Sequence, residues 1–145
     1  MKKAILNTLL ILLLPISLSG QTDADITSKC VLSAGPNTTY LKDHVIKLAK
    51  ATSKTDIPVV KENIYLMKNF KYRFTICNAE GSKGELTVTI YGKDNRKIIS
   101  SFDEKSGKAY SSIDFICNST GMYTLWYSFR DGEAGMAVGV VSLIK

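Results

Sequence analysis

The second half of the chain alternates apolar and polar residues with a period of two, the pattern of half-buried β-strands. The clearest run is 70–77, where every second residue from Phe70 is aromatic or aliphatic. The runs 86–91 and 122–130 repeat the pattern. Clusters of Gly, Asn, Asp and Ser separate these runs at regular spacing and supply turn residues. The pattern predicts an all-β fold, an antiparallel β-sandwich of about eight strands, rather than alternating βα units.

The N-terminal third of the chain has a weaker pattern. We expect an extended lead-in over 21–39, followed by a single β-sandwich domain over 40–145. Tyr40–Ala51 fits either an amphipathic helix of about three turns or a strand. The β-branched pair Val45 and Ile46 favours the strand.

Two short strands are predicted between this segment and the first clear alternation. Ile57–Val60 is interpreted as an edge strand, because Pro58 cannot donate a hydrogen bond to a ladder. Asn63–Met67 is predicted to add another short strand. The mature chain of about 125 residues is large enough to bury one core, as expected for a single domain.

Residues 1–20 have the plan of a secretory signal. The chain begins Met-Lys-Lys, continues with the apolar run Ile5–Leu18 and reaches small residues at Ser19 and Gly20. The uninterrupted apolar stretch is shorter than the roughly 20 residues of a permanent membrane helix. Cleavage after Ser19 or Gly20 leaves a chain starting at Gln21, with no cysteine at the cleavage point for a lipid anchor. We expect Sec-type export to a bacterial periplasm or the outside of the cell, an uncleaved anchor being the alternative.

The charge of the mature chain is mildly positive. The full sequence has 19 Lys and Arg against 13 Asp and Glu, so removal of the two signal lysines leaves 17 against 13, or +4. Most of the excess lies between Lys42 and Arg73. No block of five or six basic residues is present, which favours dispersed, solvated lysines over a patch for acidic glycans or lipid headgroups. Because the chain has no nucleic-acid motif, we expect no nucleic-acid partner. After cleavage of the signal, we expect no stable membrane insertion.

Two of the three cysteines lie in a local repeat. Ile76–Gly81 and Ile116–Gly121 both read Ile-Cys-Asn, and each ends in a glycine. A Cys77–Cys117 disulfide is predicted, closing a loop of about 40 residues and stabilising the domain by roughly 4 kcal/mol. Alternation, however, places Cys77 opposite the core face and Cys117 on it, so this pairing needs a β-bulge. Cys30 is either free or an alternative partner.

Few residues point to catalysis. His44 is the one histidine, so a histidine-rich metal site is excluded. A catalytic His44 would need a partner such as Cys30 or Cys77, and the alternative is an ordinary surface histidine. The carboxylates cluster in turns without the spacing of a calcium loop or a glycosidase pair. We therefore expect no cofactor, no metal site and no enzymatic activity.

The main candidate for a binding surface is aromatic. One face of the run 122–130 is apolar and predicted to be core (Tyr123, Leu125, Tyr127 and Phe129), and the other holds Met122, Thr124, Trp126 and Ser128. Trp126 therefore points away from the core, and Tyr91 does the same on its own strand. Together they form a predicted platform for a sugar ring or a protein partner. The alternative is that Trp126 is covered by the N-terminal segment or lies in a second core layer.

Two short motifs carry a family resemblance over 57–145. Gly121–Leu125 reads G-x-Y-x-L, the entry to a late strand in many small extracellular sandwiches. Phe70–Phe74 is similar to the Y-x-F strand of bacterial pre-peptidase C-terminal domains and of GOLD-type jelly rolls. The resemblance implies a jelly-roll-like sandwich with a non-catalytic binding or accessory role.

These observations predict an exported, non-catalytic binding or accessory module of the bacterial cell envelope. Its ligand would be a glycan or a protein at the Trp126 face. A structural component of an envelope assembly is the alternative, joined through an exposed strand edge near Pro58. An enzyme is the third reading, and the oligomeric state stays open.

Overall fold

The computed structural model describes residues 20–145 of the chain. One α-helix, α1 (Asp23–Ser33), precedes the strands, and a short 3₁₀ turn spans Arg130–Gly132. The strands are β1 (Thr38–Leu48), β2 (Val60–Leu66), β3 (Lys71–Asn78), β4 (Leu86–Tyr91), β5 (Lys97–Ser100), β6 (Phe102–Asp103), β7 (Lys108–Ala109), β8 (Ser112–Ile116), β9 (Gly121–Phe129) and β10 (Gly135–Ile144). The predicted signal peptide at 1–20 lies, apart from Gly20, outside the described residues.

Eight strands form two antiparallel sheets, and β6 and β7 form a separate small hairpin. Sheet 1 has the order β1-β10-β3-β8, and sheet 2 has the order β2-β9-β4-β5. The pairings are nested, because β1 pairs with β10, β2 with β9, β3 with β8 and β4 with β5. One long hairpin wrapped into two layers gives this arrangement, which is that of a jelly roll. The predicted antiparallel, jelly-roll-like β-sandwich is confirmed.

The core lies between the two sheets and is built by the alternation seen in the sequence. Tyr72, Phe74 and Ile76 of β3 point inward from sheet 1. From sheet 2, the inward side chains of β4 and β9 meet them (Leu86, Val88, Ile90, Tyr123, Leu125, Tyr127 and Phe129). Burying one side of each strand in this way provides most of the apolar area that holds the sandwich together.

The region before β1 differs from its prediction. The extended lead-in over 21–39 is wrong for residues 23–33, which form α1. Thr22 caps the helix: its hydroxyl accepts from the amide of Asp25, and the Asp25 carboxylate accepts from the amide of Thr22. Ile26 and Cys30, one turn apart, then face the outer side of sheet 1 and pack on Val138 and Val140.

Two other predictions in this region have mixed outcomes. The strand interpretation of Tyr40–Ala51 is confirmed through Leu48, because β1 runs from Thr38 to Leu48. The edge strand predicted at Ile57–Val60 is not formed before Val60, where β2 begins. β2 is nevertheless an edge strand of sheet 2 and includes most of the short strand predicted at Asn63–Met67.

The disulfide joins Cys30 of α1 to Cys77 of β3, with 5.6 Å between their Cα atoms. The predicted Cys77–Cys117 bond is wrong, because the two side chains lie on opposite faces of sheet 1. Cys77 is paired with Val138 on the outer face, under the helix. Cys117 is buried in the core as a free thiol, and its Sγ lies 3.2 Å from the carbonyl oxygen of Ser119. A disulfide of this kind indicates an oxidising compartment.

A salt bridge adds a second attachment for α1. Arg73 donates from Nε and Nη2 to the two oxygens of Asp114, at 2.7 and 2.9 Å. Its Nη1 donates to the carbonyl oxygen of Ala34, the residue that ends the helix. The guanidinium holds the pKa of Asp114 below its usual value. The C-terminal end of the helix is thus fixed to β3 and β8. No helix among residues 20–145 has the length and apolar character to cross a membrane.

Candidate functional site

The outer face of sheet 2 is formed by the polar half of each strand's alternation. The inward residues of β9 are buried, so its remaining residues point outward. Strand register places Trp126 between Thr89 of β4 and Lys61 of β2, and places Thr124 beside Tyr91. Helix α1 packs on sheet 1, so it does not cover this face. Among residues 20–145, the second cluster of buried residues also lies on sheet 1, so neither it nor α1 covers Trp126.

Tyr91 and Trp126 form an aromatic pair on this face. Their ring centroids are 4.5 Å apart, with the planes tilted by 37°. The ammonium nitrogen of Lys61 lies 3.9 Å from the centre of the Trp126 ring. Because Lys61 and Tyr91 come from the strands on either side of β9, the Trp126 ring is held between them. Both Tyr91 and Trp126 are only partly buried.

A groove of about 290 Å³ runs beside this pair, along β4, β5 and the end of β9. Tyr91 lines one end of it. Its floor is made of hydroxyl groups (Thr87, Thr89, Ser100 and Ser128). The Thr89 and Ser100 hydroxyls are 2.9 Å apart, and the Thr87 hydroxyl donates to the carbonyl oxygen of Ser128 at 3.0 Å. The floor is therefore polar and ordered by its own hydrogen bonds.

The opposite wall of the groove is formed by Phe102 and Arg130. The guanidinium carbon of Arg130 lies 4.5 Å from the centre of the Phe102 ring, and its Nη1 donates to Glu85 at 2.7 Å. Lys97 and Glu104 also line the groove, and the Lys97 Nζ lies 3.4 Å from the Glu104 Oε1. A register shift between Ile90 and Tyr91 brings Lys97 opposite Tyr91, so this bulge helps to shape the groove.

The structure brings together some of the residues predicted for the site. Tyr91 and Trp126 are in contact as expected from their positions on the outer face. Thr124 is on the same face, and its hydroxyl donates to the side-chain oxygen of Asn63 at 3.1 Å. Met122 is farther along β9, paired with Tyr65, and both are exposed. Of the four predicted residues, only Tyr91 lines the groove.

Sequence reasoning missed the groove itself. Phe102, Arg130 and Lys97 lie in or next to turns, where no periodicity indicates direction. One signal was available, because Thr87 and Thr89 alternate with the core residues of β4 and so had to point to the outer face. The hydroxyl floor was therefore predictable in part, whereas the walls depend on how the turns fold back over the sheet.

His44 lies away from this groove, buried between the sheets. Its Nδ1 shares a hydrogen bond of 3.2 Å with the Tyr127 hydroxyl, and its Nε2 lies 3.9 Å from a carboxylate oxygen of Glu62. Within residues 20–145, Nε2 has no hydrogen-bond partner. Burial lowers the pKa of His44 below its ordinary value, although Glu62 partly opposes this effect. Burial also raises the pKa of Tyr127.

This environment bears on the catalytic alternatives for His44. Its interpretation as an ordinary surface histidine is wrong, because only a small fraction of the residue is exposed. A Cys-His pair with Cys30 or Cys77 is also wrong, since those two sulfurs are bonded to each other. In the described part of the chain, no group of three or more His, Cys, Asp or Glu residues is placed to hold a metal ion.

The chain matches no protein-family model, and no curated protein sequence is significantly similar to it.

Proposed function

We propose that this chain is an exported, non-catalytic binding module of the cell envelope, with its ligand in the groove beside Tyr91. The observation that carries the proposal is the partly exposed Tyr91–Trp126 pair at the end of a hydroxyl-floored groove. Aromatic side chains with one polar end and one apolar body are typical anchors of binding surfaces. The open outer face of sheet 2 gives a ligand direct access to them.

The residues of the site have separate roles in this proposal. Tyr91 contacts the ligand, because it lines the groove. Trp126 is a positioning residue, since its ring supports Tyr91 from the side away from the groove and is itself overlaid by Lys61. His44, buried between the sheets, takes no part.

Export and the envelope location are supported by two features. The Cys30–Cys77 disulfide is of a kind that persists in oxidising compartments. The N-terminal order of positive charge, apolar run and small residues is that of a secretory signal. The resemblance to pre-peptidase C-terminal and GOLD-type domains points to the same accessory role.

The experiment is a ligand screen that uses Trp126, the only tryptophan, as its reporter. Glycans and purified envelope proteins are added while the emission of Trp126 is followed. We expect a ligand to change this emission and Tyr91→Ala to abolish the binding. Tyr40→Ala is the matched control, since Tyr40 is an exposed tyrosine on the outer face of sheet 1. A ligand that binds Tyr91→Ala as tightly as the wild type contradicts the proposal.

A second candidate function is that of a structural component of an envelope assembly. It is favoured by β1 and β2, two of the four edge strands of the sandwich, which approach each other where His44 of β1 lies 3.9 Å from Glu62 of β2. Free strand edges are sites for adding a further strand. Sedimentation over a range of concentrations tests it: a monomer throughout, with no copurifying partner, contradicts this candidate.

A further inference from the structure

The groove carries a more specific inference about its ligand, which rests on the proposed function. We infer that the ligand is a neutral saccharide, with one sugar ring stacked on Tyr91 and its hydroxyl groups bonded to the floor of the groove.

The floor of the groove selects against an apolar anchor. Each floor hydroxyl has one donor and two acceptor positions, and the internal hydrogen bonds of Thr87 and Thr89 use only part of this capacity. An aliphatic or aromatic anchor from a protein partner would remove these groups from water without replacing their hydrogen bonds, which costs free energy. A sugar brings hydroxyl groups of its own and satisfies them.

Tyr91, at the end of the groove, fits the apolar face of a sugar ring. A pyranose ring has an apolar face of C–H groups, and such a face packs well on an aromatic ring. Tyr91 has this ring at the groove, and Trp126 behind it, at 4.5 Å, restricts its motion. A preorganised ring loses less conformational freedom on binding, which favours affinity. A stacking surface next to a hydroxyl floor therefore matches both parts of one sugar unit.

The charges around the groove indicate a neutral ligand. Two cationic residues line it, Lys97 and Arg130, and two carboxylate residues line it, Glu104 and Asp131. These four formal charges sum to zero. Each cation is also paired with a carboxylate, Lys97 with Glu104 and Arg130 with Glu85. An acidic sugar would therefore have to displace an existing ion pair, whereas a neutral sugar would not.

The size of the groove sets the number of sugar units. Its volume of about 290 Å³ is near the lower end of ligand pockets, which span about 300–1,000 Å³. This space suits one ring in the groove, with further units of a longer chain outside it. Contact with one unit predicts affinity that rises little with chain length.

The test is a titration of neutral oligosaccharides, one to six units long, from glucose, mannose, galactose and N-acetylglucosamine series. Binding is measured by calorimetry and by the emission of Trp126. We expect saturable binding to at least one series, reduced more than tenfold by Tyr91→Ala. Thr89→Val removes one floor hydroxyl at nearly constant shape and is expected to weaken binding about threefold to tenfold. Tyr40→Ala and Thr39→Val, on β1 of the opposite sheet, are the matched controls and should bind as the wild type.

The other outcomes separate this inference from the proposed function. If a protein ligand is lost in Tyr91→Ala and no oligosaccharide binds, the saccharide inference is wrong and the proposed function stands. If only uronic-acid oligosaccharides bind, and salt weakens that binding, the inference that the ligand is neutral is wrong. If no ligand depends on Tyr91, both are wrong. Circular dichroism and urea unfolding of each variant establish that the loss of binding is not a loss of fold.

Discussion

The outer faces of the two sheets differ in chemistry and in what covers them. On sheet 1, β10 presents Val138 and Val140, and α1 covers them completely. On sheet 2, the corresponding strand β9 presents Thr124, Trp126 and Ser128, which stay partly exposed. An aliphatic face gains free energy only when it is removed from water, so it requires a cover. A face of hydroxyl groups and amphipathic aromatics is stable in water and remains accessible to a ligand.

The cover on sheet 1 therefore contributes to stability, and the open face of sheet 2 is the proposed binding surface. The disulfide, the Arg73 bridge and the capping box all serve α1. On the other sheet, Lys61 and Tyr91 hold Trp126 without hiding the groove. Five predictions test this division, beginning with the largest expected effect.

Loss of the disulfide is expected to have the largest effect on stability. In the double variant Cys30→Ser and Cys77→Ser, the 47-residue separation between the two positions is no longer constrained in the unfolded chain. On the chain-entropy model this lowers the free energy of unfolding by about 4 kcal/mol. Urea unfolding with and without a reductant measures it. The reductant should destabilise the wild type and leave the double variant unchanged; an unchanged wild type would show that the helix does not depend on its tether.

Truncation of the helix anchor comes next. Ile26 of α1 is buried against Val138 and Val140 of β10. Ile26→Ala should therefore lower the free energy of unfolding by about 3 kcal/mol. Ligand affinity at the groove should stay the same, because the change lies on the opposite sheet. Thermal unfolding and a binding titration are measured on one preparation. A folded Ile26→Ala protein with weakened binding would contradict the separation of the two faces.

Trp126→Ala is the reciprocal change. It removes the aromatic contact with Tyr91 and the cation–π contact with Lys61, so we expect a loss of about 2 kcal/mol in unfolding free energy. Binding should weaken because Tyr91 is no longer held, and Trp126→Phe should restore most of it. Calorimetric titration of the three proteins measures this recovery. If Trp126→Phe binds as poorly as Trp126→Ala, support of Tyr91 is not the role of this residue.

Acidification should lower the free energy of unfolding of the whole sandwich, because His44 lies between the two sheets. The pKa of His44 is lowered in the folded state, so the unfolded chain binds its proton first as the pH falls through about 6.5. Stability is therefore present above that pH and declines below it, by at most about 1.4 kcal/mol per pH unit for one proton. Unfolding is followed by Trp126 emission for sheet 2 and by circular dichroism for the whole fold, between pH 7 and 5.

The groups facing His44 define the controls of that experiment. They are the Tyr127 hydroxyl and Glu62 from sheet 2, and Lys42 and Asp43 on its own strand. His44→Gln should flatten the profile. Glu62→Gln removes the charge that favours protonated His44, so the decline should continue to lower pH. A profile that His44→Gln leaves unchanged would assign the acid sensitivity to another group.

The smallest effect is expected for Lys61→Met, which removes the ammonium group over Trp126 but keeps an apolar side chain. The cation–π contact at this exposed position is worth about 0.5–1 kcal/mol. The emission of Trp126 should change more than the stability does, because the ring becomes more accessible to water. Acrylamide quenching measures this accessibility. Quenching equal to that of the wild type would mean that Lys61 does not shield the ring.

The sequence predicted the sheets better than it predicted their attachments. Strands such as β3, β4 and β9 could be recognised because one side of each is buried, and burial imposes alternation. Helix α1 was missed although Thr22 and Asp25 form a capping box and Ile26 and Cys30 are one turn apart. The first turn is acidic and polar, so the short apolar stripe was masked by its neighbours.

For the disulfide and for the site, alternation predicted which face each side chain lies on, but not which residues come into contact. Alternation had already placed Cys77 and Cys117 on opposite faces, and this local evidence was correct against the similarity of their flanking residues. The outward direction of Trp126 and Tyr91 also followed from alternation. Their contact and the groove depend on strand register and on turn conformations around Phe102 and Arg130, which a sequence pattern does not specify.

The nested strand pairing has a consequence for the order of folding. Each sheet has two central strands, β3 and β10 in sheet 1 and β4 and β9 in sheet 2, and of these β9 and β10 follow all the other strands along the chain. Until Gly121–Ile144 is available, β1 and β2 have no neighbours in their sheets, and sheet formation is limited to pairs such as β4 with β5. Pairing β1 with β10 then closes a loop of most of the domain, a non-local step that is typical of slow folding. A chain stopped before Gly121 would lack one of the two central strands of each sheet, so we expect both sheets to be completed only when β9 and β10 are available.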